Sequence, residues 1–253
     1  MWGNGMARAA TLALAIGWTG VAWAEPGLAN KVYSPYVKNG VTEVEVRAGR
    51  LTGGPLDGEQ AAVVELERGV SDRLSLAVLA EFEQHAGEES KLDALAVEGV
   101  AYLGQIPGVG VDVGGYLEYE QRIHNESGVL EGKLLLAKRS GSFEALLNVI
   151  AQKPLTDRPG EGDTEFGYAA QVTWDVGGNL RLGGQAFGGL GSDRSFGGQQ
   201  AHYLGPVAKW EVRPAWLKGG ELEFEAAYLL PAGAARDEAD GQVRFVMEYE
   251  RRF

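Results

Sequence analysis

Cysteine is absent from the 253 residues. That removes disulfides, thiolate nucleophiles and zinc–thiolate sites together. Histidine is nearly absent as well: His85, His124 and His202 lie far apart, which excludes a His-rich metal site. Basic residues are outnumbered, 23 Lys and Arg against 35 Asp and Glu, for a net charge of −12. Phosphate backbones are neutralised by clustered Lys and Arg, so a nucleic-acid partner is excluded. After the N-terminal region no run of 18 apolar residues occurs, so no later segment is a helical membrane span. Proline stops at 9 while glycine reaches 38, and 45% hydrophobic with 23% charged residues is the composition of a chain that folds.

Residues 1–24 carry Arg8, an apolar run from Ala9 to Val21 and then Ala22-Trp23-Ala24. This is the layout of a secretory signal peptide with an A-x-A cleavage site, with a mature start expected at Glu25. Residues 25–40 show no alternation. They are expected to be either a periplasmic tail or a partial plug, since Lys31 and Lys38 suit an acidic interior while Tyr33, Pro35 and Tyr36 interrupt any strand pattern.

From residue 41 onward one unit repeats: about ten residues of alternating polarity, then a break containing Gly, Asp or Pro. Strands are expected near 41–51, 59–69, 73–83, 92–104, 109–122, 129–139, 142–153, 164–176, 179–189, 200–212, 221–230 and 241–253. The breaks alternate in length. Those at 69–72, 105–108, 139–141 and 176–179 are tight hairpins, and a somewhat longer one surrounds Arg213-Pro214. Those at 84–91, 154–163, 190–199 and 231–240 are longer and polar. An even strand number, with short turns on one side and long loops on the other, predicts one closed antiparallel transmembrane β-barrel over 41–253, with both termini on the turn side.

Parity sharpens this reading, because a barrel in lipid is apolar outside and polar inside. In the third strand Leu74, Leu76, Val78, Ala80 and Phe82 share one face, while Ser75, Glu81 and Glu83 share the other. The fifth and eighth strands divide in the same way. A soluble β-sandwich would also alternate, but it requires no odd–even loop asymmetry. The last strand adds a further mark: Val243, Phe245, Met247 and Tyr249 alternate toward a terminal Phe253, with Arg251 as the departure. In this the chain resembles bacterial outer-membrane β-barrel proteins of the small porin or channel kind, at the level of architecture over residues 41–253. The resemblance implies outer-membrane lipid as surroundings, and a last strand read by the barrel-insertion machinery. Trp174, Trp210 and Phe253, with Phe143 and Phe224, are then expected near the periplasmic rim. Phe82, Tyr119 and Tyr228, with Phe166, are expected near the outer rim.

The opposite parity gathers the acids. Glu65, Glu67, Glu81, Glu118, Glu120, Glu223 and Glu225 are expected to line the lumen, with Arg47, Arg181 and Arg244 as counter-charges. So many like charges in a dry core would be very costly, so water or an Arg–Glu network must meet them. A hydrated acidic bore attracts cations and repels anions. The expected function is passive passage of small cationic or neutral solutes, without a cofactor. The alternative is a closed structural or adhesin-like barrel acting through its loops or a partner. An outer-membrane lipid hydrolase would need a Ser beside a His on the outer wall; the same-face neighbour of His202 is Leu204, and His124 and Ser127 lie in a loop. Pro206, which lacks a ladder donor, is expected to mark a bulge with Gly205.

Overall fold

A computed structural model describes residues 27–123, 127–156 and 162–252. The signal-peptide reading, Phe253 and His124 lie outside those residues. Twelve antiparallel strands close into a barrel: β1 (Val41–Thr52), β2 (Gln60–Gly69), β3 (Leu74–Gln84), β4 (Lys91–Ile106), β5 (Val111–Arg122), β6 (Gly128–Ser140), β7 (Phe143–Leu155), β8 (Glu165–Gly177), β9 (Leu180–Ser192), β10 (Ala201–Val212), β11 (Glu221–Gly233) and β12 (Gly241–Arg252). Each strand pairs with its chain neighbours, and β1 pairs with β12, so no edge is left exposed.

The short connections lie where the break lengths place them. Between β8 and β9, Gly178 and Asn179 both have positive φ, 67° and 60°, the conformation of a two-residue turn that follows the strand twist. The connection from β10 to β11 is the longer exception on this side and holds a 3₁₀ turn over Ala215–Leu217. On the loop side the strands reach further than their polarity suggests. Pro154 pairs with Val129 and Pro231 with Tyr203, which shortens the expected loops. Pro206 makes no bulge: Leu204 faces Leu230 and Val207 faces Ala227 in unbroken register, and only the ladder pairs between them are lost. A missing donor removes one bond, but it does not insert the extra residue that a bulge requires. The register shifts that do occur lie at Glu81/Phe82, Tyr102/Gly104, Phe166/Gly167 and Asp175/Gly177.

Alternation is realised as an inverted polarity. Leu66, Leu76, Val78, Val97, Leu117 and Leu230 stand on the outside, about half exposed. Glu45, Glu65, Arg47, Asn148, Thr173 and Gln242 are buried inside. No aqueous compartment suits that exterior, and a bilayer does. Rings band the outer wall. Trp174 packs edge-on against Phe143 at 5.3 Å, and Trp210 lies 6.2 Å from Phe224 toward the turn side. Phe82, Tyr119 and Tyr228 face outward toward the loop side, the last two exposed. Trp216, 72% exposed in the 3₁₀ turn, is a ring that the strand pattern does not reveal because it sits outside any strand.

The parity has a direct test. Val78 is 54% exposed on the outer face and its neighbour Ala77 is 6% exposed on the inner one. Val78→Arg is expected to cost about 2–4 kcal/mol of barrel stability near the bilayer midplane. Ala77→Ser is expected to cost much less. Heat-dependent gel mobility of the two variants after refolding into lipid checks this, and equal tolerance would reverse the assignment of faces.

Candidate functional site

The bore is occupied by the chain's own N-terminal segment. Residues 27–40 enter at the turn side, where the Gly40 N–H donates to Gly69 O at 2.9 Å, and run up the lumen until Leu28 lies against Gly49 and Gln242. Gly27 therefore stands toward the loop end, unlike the turn-side start that an even strand count suggests. The wall makes room with glycines. A Cβ on Gly49 would fall 1.7 Å from Leu28 O, on Gly69 2.1 Å from Lys38 O, and on Gly114 2.7 Å from Pro35 Cβ. Any larger residue at these inward positions would displace the segment.

Side chains of the segment pack to all sides. Leu28 and Val32 lie on an apolar patch of Phe187, Tyr203, Val207 and Leu229, and Ala29 lies among Val63, Leu79 and Ala96. Tyr33 lies with Val100, Tyr116 and Leu135. Its backbone is gripped by Asn148, which is fully buried: the Tyr33 N–H donates to Oδ1 at 2.7 Å, and Nδ2 donates to Tyr33 O at 2.9 Å. The rings of Tyr33 and Tyr116 stand 4.6 Å apart, with Lys133 Nζ 4.2 and 4.1 Å from their centroids. The Tyr33 hydroxyl donates to Glu98 at 3.0 Å, and the Tyr116 hydroxyl lies 2.7 Å from both Glu98 and Glu118. At the turn-side mouth Lys38 bonds Glu250 at 2.6 Å. Burial lowers the pKa of that ammonium, while the Glu250 bond and the negative charges of Glu250, Glu221 and Glu43 raise it and together prevail.

This segment divides the bore into two cavities, and Tyr33 lines both. The loop-side cavity, about 420 Å³, is lined by seven glutamates against three basic side chains, Arg47, Arg122 and Lys133. The turn-side cavity, about 660 Å³, has eight of each. The acidic excess that composition spreads over the whole lumen is therefore concentrated on the loop side.

Register then organises the acids into rows. Glu65 faces Glu45, Glu45 faces Glu248, Glu248 faces Glu223 and Glu223 faces Glu211, five glutamates directly opposite one another from β2 round to β10. A second row joins Glu67, Glu43, Glu250 and Glu221, and a third joins Glu98, Glu118 and Glu131. Like charges directly opposite are destabilising, so each row needs cations or water. Arg47 Nη1 bonds Glu45 at 2.6 Å and Glu65 at 2.8 Å, and Lys31 Nζ lies 2.9 Å from Glu45 and 3.5 Å from Glu65. Lys209 lies 2.6 Å from Glu223 and 3.8 Å from Glu225, which also accepts from Gln171 at 2.9 Å and from Gln185. Three triplets, Glu43/Glu45/Glu248, Glu65/Glu67/Glu98 and Glu81/Glu118/Glu120, gather carboxylate oxygens within 4.8 Å of one another. These are donors suited to hard cations.

Of the residues expected to line the lumen, Glu65, Glu118, Glu120, Glu225, Arg47 and Arg244 are buried. Glu81, Glu118 and Glu120 line the loop-side cavity, with Glu120 paired to Arg122 at 2.8 Å; Glu67 and Glu223 line the turn-side one. Arg181 donates to Thr173 at 3.0 Å and lies 3.9 Å from Glu144. Arg244 is in direct contact with none of the acids among the described residues, though the Glu225 charge acts on it. It donates to Leu28 O at 3.2 Å and lies 4.2 Å over the Phe187 ring, so it holds the N-terminal segment. Asn148 and Tyr116 carry the grip on that segment and have no sequence signature beyond their inward parity. On the outer wall the His202 ring meets the Tyr168 hydroxyl at 3.2 Å; at the loop-side cavity His85 lies 3.7 Å from Glu59.

No protein-family model matches the chain, and no curated protein sequence matches it. Solved structures do match its fold. The COG4313 outer membrane channel from Pseudomonas putida F1 is 13% identical, with a TM-score of 0.57 over 86% of this chain and 97% of that one. The KdgM porin, solved alone and in complex with disordered oligogalacturonate, is 9% identical, with TM-scores of 0.52 and 0.53 over 83% of this chain and 99% of that one. The fold is that of bacterial outer-membrane channel barrels.

Proposed function

We propose that this protein is an outer-membrane channel for small cationic or neutral solutes that rests closed, with residues 27–40 in its bore. The observation that carries this reading is the acid excess of the loop-side cavity, seven glutamates against three bases, together with the row of glutamates from Glu65 to Glu211 that runs on to the turn-side cavity. Fixed negative charge along a narrow wet path selects by sign and is screened by salt. The oligogalacturonate of the KdgM complex is a chain of sugar acids, and these rows would repel such a chain. In this reading lipid contacts the outer bands of rings, and β12 carries the signal for the barrel-insertion machinery. The filled bore favours one second reading, a permanently closed barrel that acts through its loops or a partner.

Planar-bilayer recording separates the two. Stepwise conductance preferring potassium over chloride is the expected result. Glu118→Lys with Glu120→Lys, which reverses charge at the cavity of greatest acid excess, is expected to abolish or invert that preference. Chloride preference in the unaltered protein, or silence from folded protein even when the grip of Asn148 is removed, would sink the channel.

A further inference from the structure

The counter-charges of Glu45 and Glu65 come from two different sources. Both carboxylates are 1% exposed and face each other across β1 and β2. Arg47, also in the wall, takes Glu45 Oε1 and Glu65 Oε2. The two remaining oxygens, Glu45 Oε2 and Glu65 Oε1, point to Lys31 Nζ at 2.9 and 3.5 Å. The wall alone therefore presents two negative charges and one positive. The missing positive charge is supplied by a segment that is no part of the sheet.

The seat is incompletely satisfied by its occupant. Glu65 Oε1 is buried and makes no hydrogen bond, because the Lys31 ammonium, tethered to the backbone that Asn148 grips, comes no nearer than 3.5 Å. An ammonium free to centre itself has three N–H donors and can bond both oxygens. We propose that the Glu45–Glu65 pair is a binding seat for the primary ammonium group of a passing solute, and that Lys31 occupies it at rest as a tethered surrogate.

The chemistry of the seat narrows its ligand. A quaternary ammonium carries the charge but no N–H. A hard divalent cation takes six or more oxygens. Glu43 and Glu248 beside Glu45, and Glu67 and Glu98 beside Glu65, bring further carboxylate oxygens near. Arg47, however, holds one oxygen of each member of the pair, and a primary ammonium, that of Lys31, is what already sits between the other two. The seat also stands on the route. The acidic loop-side cavity lies to one side, and the row through Glu248 and Glu223 leads to the turn-side cavity on the other. This inference rests on the channel reading for the direction of travel, but binding itself is measured without conduction.

Calorimetry on the full chain, folded in detergent, with n-butylammonium as probe tests it. Lys31→Met vacates the seat and is expected to bind butylammonium about tenfold or more tighter than the unaltered protein, the worth of one charge-assisted hydrogen bond. Tetramethylammonium should gain nothing, and Glu65→Gln in the Lys31→Met background should abolish the gain. An equal gain for both probes, or none for either, overturns the seat. A second measurement keeps Lys31 in place. The chain has no cysteine, and Ala29 is 6% exposed between the segment and the wall, so Ala29→Cys offers one shielded thiol. Butylammonium should accelerate its labelling by maleimide several-fold where tetramethylammonium does not; unchanged labelling overturns displacement of Lys31. Binding with a silent bilayer would end the channel and leave the seat standing. Conduction without selective binding would do the reverse.

Discussion

Replacing Asn148 by alanine is expected to open the bore while leaving the barrel intact. Among the described residues, Asn148 is the one wall side chain that bonds both the N–H and the C=O of a residue in the N-terminal segment, through contacts of 2.7 and 2.9 Å to Tyr33. Its own backbone belongs to β7, paired on both sides, so the sheet does not depend on its amide. Each buried polar group left without a partner costs about 1–3 kcal/mol, so two cost about 2–6 kcal/mol. That cost falls only on the state with the segment inserted. The population of the displaced state should then rise by a factor of roughly thirty or more. Asn148→Leu, which fills the same volume without donors or acceptors, should act alike and so separate lost hydrogen bonds from a cavity. Open probability in bilayers is the measurement. Conductance of either folded variant identical to that of the unaltered protein would mean that Asn148 does not hold the bore shut.

Arg47→Met is expected to cause the largest loss of stability of any single change in the bore. Arg47 is 4% exposed and lies within hydrogen-bond distance of two buried carboxylates that face each other across the β1–β2 pair. Removing one partner of a buried ion network strands the rest, at about 3–5 kcal/mol. Lys31 remains as one cation for two acids, and its ties to the segment limit how far it can move toward Glu65. Adding Glu45→Gln and Glu65→Gln to the same chain should restore much of the loss, because neutral amides opposite each other do not repel. Urea midpoints in detergent micelles, read by heat-dependent gel mobility, give both numbers. An Arg47→Met midpoint equal to that of the unaltered protein would show that water, not Arg47, neutralises the pair.

The barrel itself was legible because each of its causes is local. Alternation of Leu74, Leu76 and Val78 with Ser75, Ala77 and Leu79 assigns faces within one strand, and Gly-containing breaks set where a strand must turn. An even number of such strands, with short and long connections in alternation, leaves closure in a membrane as the arrangement that satisfies every backbone group. Pro206 misled as a bulge because losing a donor and inserting a residue look alike in sequence. Only the unbroken pairing of Leu204 with Leu230 and Val207 with Ala227 distinguishes them.

The sequence by itself therefore determined the strands, the inward side of each, the acidity of the interior and the absence of any thiol or His-cluster chemistry. Tertiary structure alone decided what the interior does with its charge. Glutamates at 65, 45, 248, 223 and 211 are scattered along the chain. They become one row only through the register of four strand pairs, and register depends on turn geometry and closure rather than on the identity of any one residue. The segment 27–40 has no period that could announce where it lies. Its place is set by glycines at 49, 69 and 114 leaving space, by Asn148 gripping Tyr33, and by Lys31 completing a charge balance between residues that meet only once the barrel is closed.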